Sequence, residues 1–303
     1  MKKSILLNII FEKMLSEKTK EQVEKIILAL AITSFIVHLL LIYLVQWQII
    51  HVSAETELFR SPIAAIYTPF SFILVYEVYL LVFYMPKSVT TYVGKQYEII
   101  TLIVIRRLFK DFSKLELTTN WLEKKGDLQF TYDIILSILV FFIIYLFKKN
   151  IHNPINKHTV NKIFNNKQQY FLNLKKTIAI FLVPVLIVIA IYSFLNWLAG
   201  VTWNRNQPHI SFLNINNIFF EQFFTILIIV DVLLLLLSFF YTDSFHKVIR
   251  NSGFIISTIL IRLSFSKEGF LNNILILSSI IFGLLILMIH NQFEKLEVEE
   301  DAI

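Results

Sequence analysis

Of the 303 residues, 56% are hydrophobic and only 17% charged, with a mean hydropathy of +0.66. Ordinary soluble domains carry roughly 25% charged residues, so a soluble globular fold is excluded in favour of a membrane protein. The chain has no cysteine, which removes disulfides, iron–sulfur clusters and thiol catalysis. The net charge of +6 does not indicate nucleic-acid binding, because the basic residues gather between apolar runs, where membrane topology accounts for them.

The chain opens with MKKSILLNIIFEKML. Its apolar stretch is short, is broken by Glu12 and Lys13, and has no small-residue cleavage site, so it does not read as a signal peptide. Residues 1–25 are instead expected to form an amphipathic segment on the inner leaflet. Apolar spans follow at 26–47, which contains His38 and ends near Gln46, and at 62–85, where Glu77 interrupts FILVYEVYLL. A shorter candidate, 95–113, carries the adjacent Arg106 and Arg107. The span 131–147 has Asp133 near its outer end, and a basic linker follows at 148–173. The spans 174–199, with Asn196, and 216–241, with Glu221 and Asp231, come next. A second short candidate, 252–266, carries Arg262; the last span is 270–290, and 291–303 is an acidic tail. These runs lack the alternation of membrane β-strands. The expected fold is therefore all-α, a polytopic helical membrane protein of about eight membrane helices.

The two short candidates each have an apolar core of about 13 residues, or roughly 20 Å, less than the ~30 Å hydrocarbon thickness. They either cross, protected by neighbouring helices, or lie flat or re-enter. Loop charge favours crossing. Residues 148–176 contain Lys148, Lys149, Lys157, Lys162, Lys167, Lys175 and Lys176 and no acid, which places that loop in the cytoplasm. The lysine-rich N-terminus belongs there too, so an even number of crossings separates the two, and the Arg106 helix supplies the fourth. Both termini are then cytoplasmic, in the cell (inner) membrane.

The order of polar marks repeats. IYLVQW (Ile42–Trp47) lies over YSFLNW (Tyr192–Trp197), Glu77 over Asp231, and YEIITLIVIRRLF (Tyr97–Phe109) over GFIISTILIRLSF (Gly253–Phe265). This suggests two pseudo-repeated four-helix halves, 26–147 and 174–290. Only Gly283 lies inside a long span, so no GxxxG motif exists and helix packing is expected to rely on Ile, Leu and Phe.

Glu77, Arg106, Asp231 and Arg262 all fall near mid-membrane when the short helices cross. Charges there normally face a protein interior and find partners, and a guanidinium fork suits a carboxylate. Two readings result. In one, Glu77, Arg106, Arg107, Asp231 and Arg262 line an ion pathway, making the chain a proton or cation channel or a secondary transporter. In the other, the pairs only fix helix register in a structural or signalling subunit. His38, Gln46, Asn196, Glu221 and Asp133 are secondary polar marks, Glu221 and Asp133 as solvated interface residues. There is no HExxH, P-loop or GxSxG, and the histidines show no metal-ligand spacing, so neither an enzyme, a cofactor nor a metal is expected. The expected partners are the lipid bilayer, a small inorganic ion or proton, and a second copy or another membrane subunit.

Overall fold

The computed structural model describes residues 2–49, 62–112, 125–151, 166–203, 212–241, 244–264, 267 and 269–300. Helices follow in chain order: α1 (Lys2–Leu15), α2 (Glu17–Gln46), a 3-10 turn (Pro62–Ile66), α3 (Tyr67–Tyr84), α4 (Val89–Phe112), α5 (Lys125–Ile151), α6 (Asn166–Trp203), α7 (Phe212–Phe239), α8 (Phe245–Ser264) and α9 (Phe270–Glu300). No strand occurs among the described residues. Five stretches, Leu7–Gln46, Gly126–Ile151, Gln169–Tyr192, Gln222–Phe239 and Phe270–Glu297, are long and apolar enough to cross a membrane, and Thr68–Tyr84 is a shorter apolar helix. The eight long helices match the eight expected spans, while α1 is the short N-terminal segment.

The surface supports a membrane setting more directly than length does. On α5, Ile135, Ile138, Phe141, Phe142 and Tyr145 are exposed, and on α2 so are Ile26, Leu28, Ile32, Ile36 and Leu40. Contiguous exposed apolar faces of this kind are rare on soluble monomers and belong against lipid. Helix α8 buries polar side chains alongside its apolar core residues Phe254 and Ile261. Its buried face carries His246, Asn251, Ser257, Thr258, Arg262 and Ser264, while Phe245, Ile249, Ile256 and Leu263 face outward.

Contacts divide the chain into two compact units. The first comprises residues 1–83, 106–115 and 176–227. Within it the chain breaks between α1 and α2 at Ser16, which is extended (φ −83°, ψ 159°), and its hydroxyl accepts from the Thr19 amide at 3.1 Å. That N-cap satisfies an otherwise orphaned donor and restarts the helix at Glu17. The amphipathic segment expected over 1–25 therefore ends earlier, and residues 17–25 belong to α2. Tyr79 Oη donates to the Met14 carbonyl at 3.1 Å and Tyr76 Oη to Glu24 at 2.8 Å, which fastens α3 to the elbow.

The second unit comprises residues 84–105, 116–175 and 228–303. Its core joins Val93, Tyr97, Ile100 and Val104 of α4 to Leu136, Val140, Ile143 and Phe147 of α5. Phe254 and Ile261 of α8 and Ile276, Ile280, Leu284 and Leu287 of α9 complete it. On α4, α5 and α9 these residues recur every three or four positions, and the two on α8 are seven apart, so each set shares one helical face. Polar clamps bound the α5–α9 contact. Asp133 accepts from Gln129 (2.8 Å) and Asn273, and Asn291 donates to the Asn150 carbonyl at 3.0 Å.

Three expectations change. Asp133 is not solvated but fully buried, because Gln129 and Asn273 replace water around its carboxylate. The basic linker at 148–173 is shorter at both ends, since α5 runs to Ile151 and α6 starts at Asn166. Packing by small residues is also present, although no single helix shows GxxxG. Ser257 of α8 meets Ser279 and Gly283 of α9, and Gly253, one turn before Ser257, lies against Ile286 of α9. A Cβ on Gly253 would stand 2.8 Å from Ile286 Cγ1, and one on Gly283 2.9 Å from Tyr97 Cζ. The proposed two-half repeat gains no support, because the second unit mixes α4 and α5 with α8 and α9.

Candidate functional site

Asp231 interrupts the apolar run of α7 and is almost fully buried. Its Oδ2 accepts from Arg262 Nη2 of α8 at 2.7 Å, a direct ion pair with both side chains out of solvent. Helix α4 supplies the remaining partners. Tyr92 Oη donates to Oδ1 at 3.0 Å, and Gln96 Nε2 approaches Oδ2 at 3.4 Å. Tyr92 and Gln96 are one turn apart, so a single helix face delivers both. A carboxylate with three donors, one of them a guanidinium at contact distance, compensates the desolvation that burial imposes.

Beside the pair is a cavity of about 30 Å³, lined among others by Tyr92, Lys175, Asp231, Ser238 and Asn251. About 10–15 Å³ holds one water molecule, so this space accepts one or two waters or a small ion. Lys175 was expected in the basic loop; it lies instead within α6, is buried, and donates from Nζ to the Lys87 carbonyl at 3.1 Å. The cavity wall is mostly apolar, from Met85, Val89, Phe171, Leu234, Leu235 and Ile255, with one acid, one lysine and a few neutral polar groups at its edge and Arg262 bonded to that acid. Arg262 Nη1 and Gln96 Oε1 find no hydrogen-bond partner among the described residues.

The other charged residues are arranged differently. Glu77 is buried on α3 within the first unit, where the charge of Arg106 acts on it. Arg106 and Arg107 are half-buried at the end of α4. His38 is buried on α2, and its Nδ1 is hydrogen-bonded to the Thr68 hydroxyl. Gln46 is exposed at the end of α2. Asn196 lies in α6 and Glu221 in α7, with side chains outside the described residues.

A second polar cluster, not anticipated from the sequence, joins the start of α8 to the end of α9. His246 and His290 are stacked, with ring centroids 5.0 Å apart and planes 25° apart. His246 Nδ1 lies 2.9 Å from Glu297 Oε1, and His290 Nε2 lies 2.8 Å from Arg250 Nη1 and 3.4 Å from Glu294 Oε1. Burial pushes the His246 imidazole below its ordinary range, against the opposing pull of Glu297. Burial also lowers Arg250 to about 10, countered by Glu294, so it remains a cation at neutral pH.

Sequence reasoning missed Tyr92, Gln96, Lys175 and Asn251 at the cavity. The usable signal was the one-turn spacing of Tyr92 and Gln96 on a helix whose next turns are apolar. Comparison with family models, with curated proteins and with solved structures finds no match for this chain.

Proposed function

We propose that this chain is an ion-coupled membrane transport protein, a channel or secondary transporter for protons or a small cation, with Asp231 as the exchanging group. The observation that carries this reading is the buried Asp231–Arg262 pair, whose acid borders a small, largely apolar cavity of about 30 Å³. In the resting form Arg262 neutralises the carboxylate. A proton or small cation arriving through the cavity takes that role, which frees Arg262 from Asp231; departure of the ion restores the pair. A cavity of one or two waters favours stepwise exchange over an open aqueous pore. Glu77, in the other unit, is a second buried carboxylate, with the guanidinium of Arg106 close enough to act on it. The topology that fits has α4 and α8 crossing, both termini in the cytoplasm and the lysine-rich 148–176 region on the same side. Such a protein works in the inner membrane as a homo-oligomer or beside another membrane subunit, without catalysis.

A structural reading is favoured by one observation, the saturation of Asp231 by Tyr92, Gln96 and Arg262. The two readings separate in proteoliposomes with an internal pH-sensitive dye and an imposed ion gradient. The neutral pair Asp231→Asn with Arg262→Gln should keep the fold while reducing flux at least 10-fold, and Glu77→Gln should reduce it several-fold. Unchanged flux in the neutral pair refutes exchange at Asp231. No flux above empty liposomes in the wild type refutes transport and leaves a structural subunit.

A further inference from the structure

We infer that His246, His290 and Glu294 form a binding site for one divalent transition-metal ion of zinc-like chemistry, fastening the start of α8 to the end of α9. The inference is independent of the transport reading and concerns different residues. One ligand atom from each of the three side chains lies within 4.8 Å of the others. His290 and Glu294 are one turn apart on α9, the spacing that puts two ligands on a single helix face. Imidazole and carboxylate together suit zinc and its neighbours at about 2.0–2.2 Å, so side-chain rotations that draw the ligands inward complete the site.

The surroundings of His246 point to a ligand rather than to a merely packed ring. Its Nδ1 faces Glu297 Oε1 at 2.9 Å, which fixes the proton on Nδ1 and leaves Nε2 with its lone pair. That Nε2 is buried and has no hydrogen-bond partner among the described residues. A carboxylate behind a histidine is the arrangement that orients metal-binding imidazoles and raises their basicity. Glu297 therefore acts as a positioning residue, not a ligand.

Arg250 explains how the same pocket is stable without an ion. Its Nη1 lies 2.8 Å from His290 Nε2, while Nε and Nη2 lie 3.2 and 3.1 Å from Asn251 Oδ1. The guanidinium occupies the place of a cation beside Glu294, and a divalent ion at His290 displaces it. Arg250 is thus a built-in competitor for the ion.

The test is calorimetric titration of Zn²⁺ into the full-length, chelator-treated protein in detergent, with Co²⁺ absorption reporting the ligand geometry. One high-affinity ion per chain is expected, above any weak binding at the remaining histidines. His246→Gln and His290→Gln should each abolish that event, and Glu297→Gln should weaken it roughly 10–100-fold. Arg250→Gln should tighten binding, a response that a purely structural arginine does not give. All variants are first matched to wild type by gel filtration and thermal unfolding, and a variant that fails is replaced by the corresponding Asn. Stoichiometric binding that survives in His246→Gln and His290→Gln overturns the assignment, as does the absence of a high-affinity event in the wild type. Either result leaves the cluster as a metal-free imidazole–carboxylate latch.

Discussion

Asp231→Asn is expected to lower the unfolding free energy by about 3–5 kcal/mol, because it leaves the buried Arg262 guanidinium without its counter-charge. The reverse change, Arg262→Gln, leaves a buried carboxylate and should cost a similar amount. Making both changes removes the charges together, and the neutral side chains retain hydrogen bonding to Tyr92 and Gln96. The double variant should therefore cost less than the two single losses added together, by about 3 kcal/mol, the upper end of the coupling seen for contacting groups. Tyr92→Phe tests the supporting layer and should cost about 1.5–3 kcal/mol, the range of a hydrogen bond to a charged group. Reversible unfolding in mixed micelles, followed by tryptophan fluorescence, measures all four. Strictly additive single effects would mean that the 2.7 Å contact is not a functioning pair.

Gly283→Ala is the second large effect. A Cβ at this position would overlap the hydroxyl of Tyr97 and stand 2.9 Å from Cζ and 3.1 Å from Ser257 Oγ. Tyr97 cannot retreat easily. It is fully buried, its Oη is 2.6 Å from Ser257 Oγ, and its ring meets Phe147 edge-on at 5.0 Å. Overpacking of this kind costs about 1–3 kcal/mol and shifts α9 away from α8. Tyr97→Phe in the Gly283→Ala background removes the overlapping hydroxyl and should restore part of the loss. Gly126→Ala is the control, since nothing lies within 4 Å of its added Cβ. In the same unfolding assay Gly126→Ala should be neutral or stabilising by up to about 1 kcal/mol, as expected from helix propensity. A Gly283→Ala protein as stable as wild type would show that Gly283 of α9 is not in this close contact with Tyr97 of α4.

The sequence made some of this visible and hid the rest for identifiable reasons. Asp231 and Arg262 stood out because a charge in an apolar run has few explanations. Tyr92 and Gln96 did not, because polar residues near a helix end are what any membrane interface shows. Lys175 was assigned to a loop because hydropathy marks where a helix becomes apolar, whereas α6 begins earlier, at Asn166. The serine–glycine contact is invisible to a GxxxG pattern, because its small residues sit on two different helices. The two faces are Gly253 with Ser257 and Ser279 with Gly283, and each is unremarkable alone. The histidine–glutamate cluster combines residues far apart in the chain, and only His290 and Glu294 carry a local spacing. The helix inventory was readable from apolar run length, whereas which helices share a unit depends on side-chain fit.

The polar buried face of α8 has a consequence for how the protein is made. Lys247, Arg250 and Arg262 burden this helix during synthesis, before its partner has emerged. Charged and polar side chains on one helix face disfavour contact with lipid, so α8 gains little in an apolar setting on its own. Helix α9, with a long uninterrupted apolar stretch, partitions readily and brings Ser279 and Gly283 to the polar side of α8. The polar face of α8 is thus buried only once α9 is present to cover it.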